Sequence, residues 1–136
     1  VGIKLMERID SINEKKRARA INFIDELNDF PELIFHRVDS VRHNYHLLAA
    51  QMVGSYRDDF IRSMAIDEGI QCVVQYCPLN RYPFYKKIGM GEADCPNADQ
   101  FFDNMISFPF HDSLLDSELD QMLTSTKKVL KQISSE

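Results

Sequence analysis

Apolar residues near the start of the chain recur at helical spacing: Ile3, Met6 and Ile9, then Ala20, Phe23, Ile24 and Leu27. This predicts one long helix, or two joined ones, over 3–29. Phe30-Pro31 ends it, because the residue before proline is pushed out of helical geometry. The period then changes to two. Over 44–53, Tyr45, Leu47 and Ala49 point one way and His46, Leu48, Ala50 and Met52 the other. Both faces are largely apolar, as in a buried central strand. Gly54-Ser55 opens a second helix, with Ser55 and Asp58 resembling a capping box and Phe60, Ile61, Met64 and Ala65 as its stripe. Gly69 suits the reversal after it. The run IQCVVQY over 70–76 predicts a second strand, closed by Cys77-Pro78.

A loop with a short helical turn follows, through Tyr85-Lys86-Lys87-Ile88-Gly89. Asp94 or Cys95 caps the next helix, with Pro96 at its first position. Ala98, Phe101, Phe102 and Met105 line its buried face. Ile106 to Phe110 predict a short strand that Pro109 confines to an edge or strand end. Asp116 or Ser117 starts a closing helix with Leu119, Met122, Leu123, Leu130 and Ile133 along one side. The expected class is α+β: a small three-stranded sheet packed against helices.

The chain has 136 residues, the size of one domain with its own core. A net charge of −5 argues against a phosphate-backbone partner, so no nucleic acid is expected. No apolar run approaches the ~20 residues that span a bilayer, so no membrane partner is expected either. Three cysteines, an odd number, do not suggest a disulfide framework, and a reducing cytoplasm is the simplest compartment. The chain opens Val1-Gly2-Ile3-Lys4-Leu5-Met6, with no capping residue before the helical pattern. That predicts a terminus cut from a longer protein, leaving an apolar patch at Ile3, Met6 and Ile9 through which the piece self-associates.

Few side chains suggest complete chemistry. Cys72, Cys77, Cys95 and His111 lack the close spacing of zinc ligands, and His43 and His46 would face opposite sides of a straight strand. No signature supports a cysteine nucleophile, and five scattered glycines do not cradle a phosphate. Lys86 and Lys87 read as a solvated edge rather than Schiff-base lysines. The run Glu14-Lys15-Lys16-Arg17-Ala18-Arg19 reads as a solvated helix face rather than an anion site. Tyr76, Asn80, Arg81, Tyr82 and Tyr85 are different. Tyrosine packs on a sugar ring and hydrogen-bonds to it, asparagine offers donor and acceptor, and arginine takes phosphate or carboxylate as a fork. On a loop at a strand end these types suit a nucleotide-sugar; packing of the loop by its own Tyr and Pro is the alternative.

Six segments, in order, resemble one family. GIKLMERIDSINEKKRARA is similar to the helix joining the two domains of the DegT/DnrJ/StrS family of PLP-dependent sugar aminotransferases. HNYHLLAAQMV resembles its H-S-x-H-L-F strand, and RDDFIRSMAIDEGIQCVVQY its next helix and strand. PLNRYPFYKKIG resembles P-L-H-x-x-P-x-Y-x-x-x-G, CPNADQFFDNMISFPFH the Pro-Ala helix with its L-S-L-P strand, and DSELDQMLTSTKKVL the closing helix.

The resemblance implies a fold-type-I aminotransferase's C-terminal small domain over 1–136, with 1–30 as the interdomain helix and 41–136 as the core. PLP would be held by the large domain of the parent chain and not by this piece, which is expected to be inactive alone. The parent would be a homodimer acting on a nucleotide-sugar. Pro78, Leu79, Pro83 and Tyr85 match the loop motif, and Asn80 stands where many members have a sugar-contacting His. Asn80 can hydrogen-bond but cannot titrate near neutral pH. The substrate-facing residues so implied are Tyr76, Asn80, Arg81 and Tyr85. A free-standing binding module of this fold, and a fragment of the branch that replaces the PLP lysine with His and dehydrates sugars, are the alternatives.

Overall fold

A computed structural model describes residues 2–36, 43–91 and 93–134. Val1, Val41 and Arg42, which bound segments expected from the sequence, lie outside the described residues. The helical pattern at the start resolves into two joined helices, α1 (Gly2–Met6) and α2 (Ile9–Asp25). Three antiparallel strands follow in the spatial order β1 (Leu33–Phe35), β2 (Leu48–Met52), β3 (Met105–Phe108). Leu33 pairs with Met52, and Leu48 with Phe108. The central position expected for 44–53 is therefore occupied by β2.

The pleat sends Leu48, Ala50 and Met52 into the core, joined from the neighbouring strands by Leu33, Ile106 and Phe108. Three helices cover that face. Ala20, Phe23 and Leu27 come from α2, Phe60 and Met64 from α3 (Arg57–Ile66), and Met122, Val129, Leu130 and Ile133 from α6 (Asp116–Ile133). Phe108 sits at the centre, with Phe23 and Phe60 meeting its ring edge-on at 5.1 and 6.2 Å. Residues of the opposite parity, such as Ile34, His36, Ala49 and Gln51, face the other side of the sheet. There α5 (Pro96–Asn104) packs, its Phe101 stacked on His36 with ring centres 4.9 Å apart.

Four local expectations change. IQCVVQY does not form a strand: only Val73 pairs, exchanging both backbone bonds with Ser107 at the outer edge of β3. The third strand is β1, three residues long and too short to show a period. Ser55 caps nothing; α3 starts two residues later behind Tyr56, with Asp58 and Asp59 in its first turn. That pair suits the positive end of the helix dipole. Ala98 is exposed rather than buried. Two turns form as expected. Gly69, at φ +69, lets the Ile70 N–H return to the Met64 carbonyl at 2.8 Å. Pro96 opens α5 and Cys95 precedes it.

The basic run on α2 is not a free solvated face, because three of its cations reach the turn before α6. Lys15 Nζ donates to the Asp112 carbonyl at 3.0 Å. Arg19 donates to the carbonyls of Asp112 and Leu114 and to Asp116 Oδ1. Lys16 lies over the Phe110 ring, and burial lowers its pKa despite Asp112 nearby. These cations clamp the turn between β3 and α6. At the far end α1 buries no residue, and Ile3, Leu5 and Met6 are exposed. Ile9, expected beside them, is half-buried in α2.

Candidate functional site

The loop after Val73 carries most of the residues picked out by their chemistry. Pro78 introduces a single 3-10 turn, Leu79–Arg81, and Pro83 opens the short helix α4 (Pro83–Lys87). Proline suits that first position because its fixed φ is helical and its missing N–H would go unpaired there. Gly89, at φ +77, turns the chain back, and the Met90 N–H bonds the Tyr85 carbonyl at 2.9 Å. Gly91 then passes against α4 so closely that a Cβ would stand 2.7 Å from the Lys86 backbone nitrogen. Only glycine fits that crossing.

This folded loop is fastened to α5 by charge. Arg81 Nε donates to Asp99 Oδ1 at 2.5 Å. Its two terminal nitrogens donate as a fork to Asp103 Oδ1 and Oδ2 at 2.6 and 2.9 Å. The guanidinium also lies 5.3 Å from the centre of the Phe102 ring. Asp103 and Asp99 accordingly raise the Arg81 pKa, and the Arg81 hydrogen bonds hold the Asp103 carboxyl below the usual range. Arg57, from the start of α3, donates to the Phe102 and Asp103 carbonyls at the end of α5, and pairs with Asp58. A cation there meets carbonyls left unpaired by the helix and the negative end of its dipole.

The expected residues divide unequally. Asn80 and Arg81 come together on Asp99: the Asn80 amide nitrogen donates to Asp99 Oδ2 at 3.4 Å and to the Ala93 carbonyl at 3.3 Å. Tyr85 is half-buried between Tyr82 and Phe84, which it meets edge-on at 6.3 and 5.5 Å. Tyr76 stands 66% exposed, and among the described residues no hydrogen bond or ring contact holds it. Leu79, Phe84 and Met90 are also more than half exposed. The loop thus offers an aromatic and apolar surface on a charge-fastened base.

The histidine motif lies elsewhere. His43 packs edge-on against Tyr45 at 4.3 Å, and its Nδ1 accepts the Tyr45 N–H. Tyr45 is buried at φ +46, a left-handed conformation unusual for an aromatic residue. Among the described residues no hydrogen bond, ion pair or ring contact joins this turn to the 76–91 loop; α5 instead meets His36 through Phe101 and Arg81 through Asp99 and Asp103. Sequence reasoning missed Asp99 and Asp103. The available signal was their spacing of four, which puts both carboxylates on one helix face.

Cys72 suits no nucleophile. Burial pushes the Cys72 thiol up to about 12, so it stays protonated at neutral pH. Nor do these residues suit PLP, whose lysine needs a desolvated pocket beside a phosphate cradle. Lys86 and Lys87 are exposed, and Lys16 is committed to the clamp over Phe110. Among the described residues no helix is long and apolar enough to cross a membrane.

Comparison with known proteins places the chain. Residues 1–127 match the DegT/DnrJ/EryC1/StrS aminotransferase family, to which the chain belongs. It is 26% identical over 137 residues to the spore coat polysaccharide biosynthesis protein SpsC of Bacillus subtilis, covering 96% of this chain and 35% of that one. It is 29% identical over 119 residues to a UDP-4-amino-4,6-dideoxy-N-acetyl-beta-L-altrosamine transaminase of Campylobacter jejuni, covering 84% of this chain and 31% of the relative. The chain therefore spans about a third of the length of the curated relatives it matches. The aminotransferase TlmJ of Streptoalloteichus hindustanus shares the fold at TM-score 0.86 with 20% identity, over 97% of this chain and 35% of that one. The expected α+β architecture with three strands is the one these enzymes contain.

Proposed function

We propose that this chain is the C-terminal small domain of a PLP-dependent aminotransferase acting on a nucleotide-linked keto-sugar in polysaccharide or deoxysugar biosynthesis. The observation that carries the reading is the family match over 1–127, joined to coverage of only about a third of each relative. The family implies PLP in the parent enzyme, and its lysine is assigned to the two-thirds of that enzyme outside this chain. The share left to this domain is contact with the sugar. Tyr76, Asn80, Arg81 and Tyr85 sit on the loop proposed to meet it. Exposed tyrosine faces suit sugar rings, and a preformed loop loses little entropy on binding. The parent is proposed to be a cytoplasmic homodimer. The apolar residues of α1 are then covered in the complete enzyme, and the isolated chain self-associates through them.

The test uses the complete product of the gene encoding this chain, supplied with PLP, glutamate and nucleoside-diphosphate keto-sugars. Amino-sugar product with matching 2-oxoglutarate supports the reading. Loss of a sugar hydroxyl without amination shows the dehydratase branch, and neither reaction across such substrates leaves a binding module; both overturn it. For the isolated chain, a monodisperse monomer in concentrated sedimentation runs removes the proposed association.

A further inference from the structure

We infer that Asp99 is a positioning residue: through Arg81 it sets the loop, and through Asn80 it turns an amide into a dedicated hydrogen-bond acceptor for the ligand. The inference rests on the proposed sugar-binding role of this loop for its ligand and on the structure alone for its geometry.

Arg81 is committed to protein partners. Three of its five N–H groups are used by Asp99 and Asp103, and one face of the guanidinium is against Phe102. The surrounding charges are two guanidinium groups, Arg57 and Arg81, against three carboxylates, Asp58, Asp99 and Asp103. The Arg81 charge is therefore met largely inside the protein. Arg81 thus fastens the loop.

Asn80 has a defined orientation for the same reason. Its two nearest polar partners, Asp99 Oδ2 and the Ala93 carbonyl, are both acceptors. Only the amide nitrogen can face them, so the hydrogen-bond network itself assigns the nitrogen and oxygen ends. The Oδ1 atom is what the side chain has left to offer. An oxygen can accept from a hydroxyl or amide N–H of a sugar but cannot donate to a carbonyl or ether oxygen. Asn80 therefore selects a ligand donor at this point.

Two measurements on the complete gene product test this. Hydrogen exchange in the ligand-free enzyme is expected to rise about tenfold in the 76–91 segment for Asp99→Asn and for Arg81→Lys, with α2 and α6 unchanged. The double variant should lose less protection than the two single losses combined, because both variants break the shared Arg81–Asp99 bond. Unchanged exchange in both single variants, or additive effects, overturns the positioning role whether or not the enzyme aminates a sugar. For the ligand arm, Asp99→Asn should raise KM for the sugar nucleotide about tenfold with kcat within about twofold. One deoxy analogue should lose affinity for the wild type but not for Asn80→Ala. The fluoro analogue at the same carbon, an acceptor without a proton, should fail to restore it. Restoration by fluorine would show Asn80 donating and overturn the assignment. Absence of any amination would sink the proposed function and leave the exchange result to stand by itself.

Discussion

The sheet face beneath α2, α3 and α6 and the loop fastened to α5 are held by opposite means. The first is apolar: Phe23, Phe60, Phe108, Met64 and Leu130 are almost wholly buried. The loop leaves Tyr76, Leu79, Phe84 and Met90 exposed and depends on Arg81 reaching two carboxylates. Apolar burial is non-directional and tolerates salt and pH, so it suits a scaffold. Directed ion pairs between partly exposed groups add modest stability but fix direction, which suits a surface that must present particular atoms. A change in the first region should therefore move the global stability, and a change in the second should move the loop.

The largest expected effect breaks the first region. Phe60→Ala removes a ring with no exposed surface between β3 and α3, and should cost about 3–5 kcal/mol in urea unfolding. Gly91→Ala strikes the second, because its Cβ meets the Lys86 backbone as well as the Cγ at the root of that side chain. The loop must shift, and overpacking of this kind costs about 1–3 kcal/mol. Amide chemical shifts over 83–91 should move with those of β2 unchanged; equal movement in both would show the regions to be coupled. Arg19→Ala opens the clamp on the turn before α6, where three oxygens lose a mostly buried donor. About 1–2 kcal/mol should be lost by thermal unfolding, as for charged hydrogen bonds.

Acid should separate the regions without mutation. Arg81 holds Asp103, at the base of the loop, below its ordinary 3.8. A depressed folded value means the stabilisation is complete above the unfolded value and is lost as pH falls through the folded one. Exchange protection in the 76–91 loop should be flat from neutral pH down to the carboxylate range and fall below it, ahead of the core strands. Loss of both together would deny the contrast. The smallest effect belongs to Lys4→Ala on α1, whose pair with Glu7 is exposed on both sides; stability should change by less than about 0.5 kcal/mol.

Legibility followed the range of the interaction. The helices of 2–25 and 116–133 were readable because an apolar stripe is local, and β2 because its two apolar faces mark a central strand. Pro96 and Gly69 announced their turns by backbone chemistry alone. Ser55 misled because a capping residue signals a helix start without ensuring that the helix begins there. Val73 and Val74 misled because β-branched residues fit a strand, while the number of pairs made depends on how much free edge β3 offers.

At the loop, the residue types Tyr76, Asn80, Arg81 and Tyr85 and their family-like spacing were visible in the chain, but their division of labour was not. What the sequence by itself determined is the main helices, the central strand and the family, since these follow from period, turn chemistry and motif order, whereas β1 and the single pair made by 70–76 depended on the assembled sheet. The tertiary structure alone decided that Arg81 is occupied by Asp99 and Asp103, 18 and 22 residues away, and that Asn80 turns its nitrogen inward. An arginine has the same charge and reach whether it meets a ligand or its own protein. The folded chain chooses between them by placing two carboxylates on one face of α5, within hydrogen-bonding distance of the guanidinium.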